Sequence, residues 1–173
     1  MINTLKNIKL IVLDVDGTLT DGKLYIDNNR VETKTFNVKD GIALAKWNSL
    51  GGKSVIITGR TSNIVEHRGK ELGIQYIKQG IKNKSLILNE IIKEENIHLS
   101  QVCYIGDDIN DYGIMQRVGF PCCPMDACNE IQEISLFISK EKGGNGAVRE
   151  VIEKIMKVNG MWEKILLSYS NEI

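Results

Sequence analysis

The stretch that most constrains this chain runs from Ile8 to Gly22. Leu10-Ile11-Val12-Leu13 is short, apolar and partly β-branched, as a strand buried on both faces should be. It ends abruptly in Asp14, followed by Asp16 and by Gly17, where a chain can turn. Asp and Gly after a strand are also ordinary turn residues. In open α/β folds, however, ligands bind at the carboxyl edge of the sheet, so the rest of the chain decides what the two carboxylates are for.

The chain continues as strands alternating with helical segments. Lys23 to Phe36 reads as a β-hairpin: Leu24, Tyr25 and Ile26 lead into the polar turn Asp27-Asn28-Asn29-Arg30, and Val31, Thr33, Thr35 and Phe36 return. Asn37 to Gly41 is expected to be a loop, with Asp40 capping a helix that Gly51-Gly52 ends. Strands are expected at Ser54–Ile57, Ile74–Ile77, Val102–Ile105 and Phe120–Cys123, and Leu136-Phe137-Ile138 follows a short helix. Helices fall at 62–72, at 84–95 with Leu86, Ile87, Ile91 and Ile92 on one side, and at 112–118, 131–134 and 147–158. A last amphipathic segment carries Trp162, Ile165, Leu166 and Tyr169. Such alternation predicts an α/β fold, a doubly wound parallel sheet with helices on both faces. With no repeat and no low-complexity linker, residues 1–173 form one domain, with a hairpin at about 23–36 and a tail at about 160–173.

Composition excludes some partners. Lys plus Arg and Asp plus Glu are 22 each, which argues against a general nucleic-acid or anionic-membrane binder. No apolar run reaches the length of a membrane span, and Met1 to Lys9 lacks the apolar core of a signal peptide, so a cytoplasmic protein is expected. Cys103, Cys122, Cys123 and Cys128 lack the ligand-pair spacing of a zinc site and read as small buried hydrophobes.

Three predicted strands end in polar groups: Asp14 with Asp16, Thr58, and Asp107 with Asp108. Lys84 begins a helix. All gather at one sheet edge. Grouped carboxylates repel unless a cation joins them, and an all-oxygen ligand set favours Mg2+. A lysine and a threonine hydroxyl beside that metal suit a phosphate.

The motifs Asp14-Val15-Asp16-Gly17-Thr18, Thr58-Gly59-Arg60, Lys84 and Gly106-Asp107-Asp108-Ile109-Asn110-Asp111, in this order and spacing, strongly resemble the haloacid dehalogenase superfamily of phosphotransferases. The resemblance implies that Asp14 attacks phosphorus and that Asp16 protonates the leaving oxygen and then activates water. It implies Mg2+ held by the Asp14 carboxylate, the Asp16 carbonyl and the Asp107 carboxylate, with Asp108 on a metal-bound water. Thr58 and Lys84 would neutralise the phosphoryl oxygens, and Asp111 would orient Lys84 or the loop, although a solvated loop position explains Asp111 almost as well. Only 40 positions separate Thr18 from Thr58 and 26 separate Thr58 from Lys84, too few for a cap domain.

Asn37-Val38-Lys39-Asp40-Gly41, Thr58-Gly59-Arg60 with Arg68, and Gly143-Gly144-Asn145-Gly146-Ala147-Val148-Arg149-Glu150 narrow the likeness. They resemble the family of 3-deoxy-D-manno-octulosonate 8-phosphate phosphatases, which is capless and serves lipopolysaccharide precursor synthesis. That resemblance implies a sugar-acid phosphate substrate bound by Asp16, Asn37, Val38, Lys39, Asp40, Gly41, Thr58, Gly59, Arg60, Arg68 and Lys84, and a homotetramer joined through hairpins. The alternative for Arg68 is a solvated charge on a helix face. Two other readings stay open. One is a phosphatase for a nine-carbon keto acid 9-phosphate of sialic-acid type. The other is a non-catalytic oligomerisation module related to that fused to some acylneuraminate cytidylyltransferases; such modules can lose their acids, and here Asp14, Asp16, Lys84 and Asp107 are all present.

Overall fold

Residues 2–170 are described by the structure, a computed structural model. Its centre is β1 (Leu10–Leu13), every residue of which is buried. On one side β1 pairs with β4 (Lys53–Ile57), which pairs with β5 (Tyr76–Lys78). On the other side it pairs with β6 (Val102–Ile105), followed by β7 (Phe120–Cys123) and β8 (Phe137–Ile138). All six strands are parallel. The chain fills one half of the sheet before crossing to the other, so the order reverses between β1 and β6, where a crevice opens at the carboxyl edge.

Alternation along the strands sorts the core into two layers. Ile11, Leu13, Ile56, Cys103 and Ile105 point to one face. They pack against α1 (Ile2–Lys6), α2 (Val38–Ser49), α3 (Asn63–Glu71), α7 (Ala147–Val158) and α8 (Met161–Ser170), through Leu5, Leu44, Val65, Ile152 and Trp162 among others. Leu10, Val12, Val55, Ile57 and Tyr104 point to the opposite face. There they meet α4 (Lys84–Glu94), α5 (Tyr112–Met115) and α6 (Asn129–Ile134) through Leu88, Ile91, Ile114, Met115 and Ile131. This is the expected doubly wound sheet. Among the described residues no helix is long and apolar enough to cross a membrane.

Several local expectations are corrected. The hairpin exists, but its strands are only β2 (Tyr25–Ile26) and β3 (Glu32–Thr33). Phe36, expected on the return strand, leaves the hairpin and packs on the main core. Asn37 to Gly41 is not a loop. Asn37 caps α2, its side chain accepting from the Lys39 N–H, and Asp40 lies within the first turn. The Asp40 carboxylate instead caps α7 from outside, accepting from the N–H groups of Gly146 at 3.2 Å and Arg149 at 2.7 Å. It thereby fills the donor deficit of a twelve-residue helix and ties α2 to α7. Leu86 is exposed and Leu88 takes its place inward, because the apolar face of α4 is set by Lys84, Leu88 and Ile91. In the tail, Trp162 and Ile165 are buried while Leu166 and Tyr169 are exposed; residues 171–173 of that tail, like residue 1, lie outside the described residues.

Candidate active site at the carboxyl edge of the sheet

The parallel ladder carries three polar strand ends to one place. The Asp14 N–H continues the β1–β6 ladder by donating to the Ile105 carbonyl, and the Thr58 N–H donates to that of Lys78. Beyond Asp14 the chain folds tightly on itself: the N–H groups of Thr18, Leu19 and Thr20 all donate to the Val15 carbonyl. Gly17 makes this possible with φ +88, and a Cβ there would fall 1.9 Å from Asp107 Oδ2. The turn needs glycine twice over, for its backbone conformation and for its closeness to Asp107. The Gly143-Gly144 segment braces the same turn from outside. Its Gly144 N–H donates to the Thr18 carbonyl, and a Cβ on Gly143 would lie 1.7 Å from the Gly17 carbonyl oxygen.

Lys84, at the start of α4, is 4% exposed and lies against Asp14, behind the lining of the crevice. Its Nζ lies 2.6 Å from Asp111 Oδ1 and 3.0 Å from Asp14 Oδ1. The second contact is an ion pair off hydrogen-bond direction, so Asp14 Oδ1 is buried without a hydrogen-bond partner. Asp111 is fully buried and also accepts from Tyr104 Oη at 2.6 Å and from the Asp107 N–H at 3.2 Å. It orients Lys84 and the loop together. Tyr104 is the residue that sequence reasoning missed here; its place as an inward-facing strand residue two before Gly106 was the available signal. Thr18 Oγ1 donates to Asp107 Oδ1 at 3.2 Å.

Asp14, Asp107 and Asp111 each bring a carboxylate oxygen within 4.8 Å of the others. Asp111 is engaged by Lys84 and Tyr104, which leaves Asp14 and Asp107 as the pair free to hold a cation. The orphaned Asp14 Oδ1, the hard oxygen donors and the repulsion between these acids all fit Mg2+. Burial first, then the Asp111 charge, pushes the Asp14 carboxyl up to about 6 against the pull of Lys84. Burial, then Asp14 and Asp111, pushes Asp107 up to about 7. Burial alone would lower the Lys84 ammonium, but Asp111 and Asp14 outweigh it and raise it above its ordinary value.

These directions give a pH prediction for the metal-free protein. Carboxyls that hold their protons longer when folded favour folding fully below about pH 4, and that contribution is lost as pH rises through about 6 to 7. A divalent cation needs both groups ionised, so its binding strengthens over the same window. Mg2+ should therefore raise the melting temperature strongly at about pH 8 and only slightly at about pH 5. An equal shift at both, read by thermal denaturation with and without Mg2+, would contradict this assignment.

The crevice has a volume of about 270 Å3 and is lined by Asp14, Asp16, Gly22, Thr58, Gly59, Arg60, Asp107, Asp108 and Asn110. Asp108 also caps the following 3-10 turn, its Oδ1 accepting from the Ile109 N–H. Asn37 and Lys39 line a different groove of about 660 Å3, against α7. Arg68 is not brought to the crevice either: it pairs with Glu71 and packs under Gly41, where a Cβ would meet its Nη2 at 2.3 Å. Arg149 is held by Glu153 and lies over the Trp162 ring. The crevice can thus hold a divalent cation and a small anion between Asp14, Asp107 and Thr58, with Lys84 against Asp14 just behind.

The haloacid dehalogenase-like hydrolase family matches residues 76–152. The 3-deoxy-D-manno-octulosonate 8-phosphate phosphatase KdsC of Escherichia coli is 37% identical over 155 residues, 90% of this chain and 82% of that protein. The Moraxella catarrhalis 3-deoxy-D-manno-octulosonate 8-phosphate phosphatase, solved with magnesium, phosphate and KDO, matches with a TM-score of 0.94 at 39% identity, covering 97% of both chains. The cobalt-bound Haemophilus influenzae enzyme matches at 0.87 and 31% identity, over 91% of this chain and 92% of that one.

Proposed function

We infer that this chain, which belongs to the 3-deoxy-D-manno-octulosonate 8-phosphate phosphatase family of the haloacid dehalogenase-like hydrolases, is a Mg2+-dependent phosphatase. It hydrolyses 3-deoxy-D-manno-octulosonate 8-phosphate to the free keto sugar acid and phosphate. The observation that carries this reading is the crevice itself: a buried acid with an unpartnered oxygen, flanked by Lys84 and Asp107, in a chain that shares its fold with a relative holding magnesium, phosphate and KDO.

In this reading an Asp14 oxygen bonds to phosphorus as the bond to the sugar oxygen breaks, and Asp16 gives that oxygen its proton. Asp16 then takes a proton from the water that attacks the aspartyl-phosphate, releasing phosphate and restoring Asp14. Lys84 and Thr58 steady the phosphoryl oxygens as charge redistributes. Mg2+, held by Asp14, Asp107 and the Asp16 carbonyl with Asp108 behind a bound water, supplies the positive charge that lets phosphate approach two carboxylates. The four cysteines are free thiols, which supports a reducing, cytoplasmic setting.

Arg60 is assigned to the acid group of the substrate. It lines the crevice, and its guanidinium is half exposed and suited to a carboxylate. A phosphate-release panel of eight- and nine-carbon keto-acid phosphates tests the function. Arg60→Ala should raise KM for the octulosonate phosphate roughly ten- to a hundredfold, the scale of a lost charged hydrogen bond, while leaving p-nitrophenyl phosphate hydrolysis nearly unchanged. Preferred turnover of a nine-carbon substrate would transfer the assignment to the sialic-acid type.

Residues 2–170 act as one domain in this reading, and the domain works as a homotetramer. Leu24, Ile26 and Val31 on the hairpin are each more than half exposed, and a lone two-stranded hairpin is marginal in water. Pairing hairpins would bury them and let one subunit cover its neighbour's crevice. Of the segment Asn37 to Gly41, Val38 and Lys39 are exposed and could meet a neighbour's substrate across such an interface, whereas Asp40 and Gly41 are buried in their own chain and Arg68 is held by Glu71. Leu24→Asp combined with Ile26→Asp should lower the mass seen by sedimentation and cut turnover together; a fully active monomer would end this part of the reading.

A further inference from the structure

One buried cation plays no part in the mechanism above. Lys34, one residue beyond β3, is 8% exposed, and its side chain is almost wholly enclosed. Its Nζ pairs with Asp16 Oδ1 and lies 3.4 Å from Glu32 Oε1. Arg60 closes the circuit, with Nη2 donating to Glu32 Oε1 at 2.7 Å and Nε 3.7 Å from Asp16 Oδ2. Two cations thus face two carboxyl groups, and Lys34 has Glu32 as a second partner beside Asp16. Arg60, half exposed, can leave the circuit for a ligand; Lys34 cannot, because an ammonium so enclosed is costly unless it stays paired.

We propose that Lys34 is a positioning residue for the reaction: it anchors the Asp16 carboxylate by Oδ1 and leaves Oδ2 to carry the transferred proton. Among the described residues no hydrogen bond reaches Oδ2, and the 3.7 Å separation from Arg60 Nε is too long for one. A carboxylate on a short side chain rotates freely unless one oxygen is pinned, and proton transfer demands a fixed donor within hydrogen-bond reach. Because Lys34 follows directly on β3, the hairpin and the proton-transfer group share one rigid link.

This inference rests on the reading of Asp16 as acid and then base. In the first step the Oδ2 proton passes to the leaving sugar oxygen as the bond from Asp14 to phosphorus forms. In the second, Oδ2 accepts a proton from water as the water oxygen bonds to phosphorus and the Asp14–phosphorus bond breaks. p-Nitrophenolate leaves without a proton, so with p-nitrophenyl phosphate a misplaced Asp16 slows only the second step. Lys34→Met should therefore show a rapid burst of about one nitrophenolate per subunit followed by steady turnover roughly a hundredfold slower than wild type. On the octulosonate phosphate, kcat should fall at least as far with KM nearly unchanged and without a burst. Lys34→Arg should recover part of the rate, and Lys34→Gln repeats the test if the methionine variant does not fold.

Asp16→Asn, run alongside, separates the two ideas. A burst with Asp16→Asn but none with folded Lys34→Met or Lys34→Gln overturns the role of Lys34 and leaves the mechanism standing. Wild-type turnover in Asp16→Asn overturns both. Wild-type turnover in the Lys34 variants, or equal losses on both substrates without a burst, overturns the positioning role alone.

Discussion

Asp14→Asn should reduce turnover by about 10^4-fold or more, the scale seen when a covalent nucleophile is removed. The substitution preserves shape, and the buried position of Asp14, beside Lys84 and braced by the β1–β6 ladder, should tolerate it. Its stability signature separates chemistry from folding. Burial and the Asp111 charge work against an ionised Asp14 in the metal-free protein, so near neutral pH the neutral amide should be at least as stable as wild type. The same variant should lose most of the melting-temperature rise that Mg2+ brings. Stopped-assay phosphate release and thermal denaturation read the two effects. Substantial residual turnover, or an undiminished Mg2+ shift, would remove Asp14 from its assigned place.

Lys84→Met should be nearly as severe for turnover and far worse for stability. Its ammonium is the only cation beside Asp14 and Asp111 in the described ion pairs, and both acids are buried. Removing one partner of such a group typically costs about 3–5 kcal/mol. Without the lysine Asp14 should keep its proton to higher pH, so the loss should be small near about pH 5 and grow as pH rises. Adding Asp111→Asn should restore much of the stability by removing an unpaired charge, since Tyr104 Oη can still donate to the amide oxygen. It should not restore turnover, because the phosphoryl oxygens still lack their lysine. Chemical denaturation at two pH values measures this. A pH-independent loss, or a double variant no more stable than the single, would mean that Lys84 does not balance these acids.

The sequence by itself determined the sheet and the identity of its reactive edge. Short apolar, partly β-branched runs such as Leu10–Leu13 and Val102–Ile105, closed by turn residues and alternating with helical segments, read as strands buried on both faces, and a parallel sheet delivers the residues after them to one rim. Asp14, Thr58 and Asp107 were therefore legible from strand ends and order alone. Helix phase was less secure: Leu86 and Leu88 are equally apolar, and only packing beneath the sheet chose Leu88.

Tertiary structure alone decided the contacts between distant loops. Nothing local distinguishes Lys34 from the other lysines, yet the hairpin's path buries it against Asp16. Asp40 carried the marks of a cap for its own helix, and packing made it the cap of α7 instead. Arg68 sat at a plausible spacing from Arg60, but the rotation of α3 turned it beneath Gly41. The physical reason is common to all three. Periodicity reports which face of an element is apolar, because burial is paid for locally along the chain. Which polar group a side chain meets depends on how separate elements dock, and that is fixed only when the whole core closes.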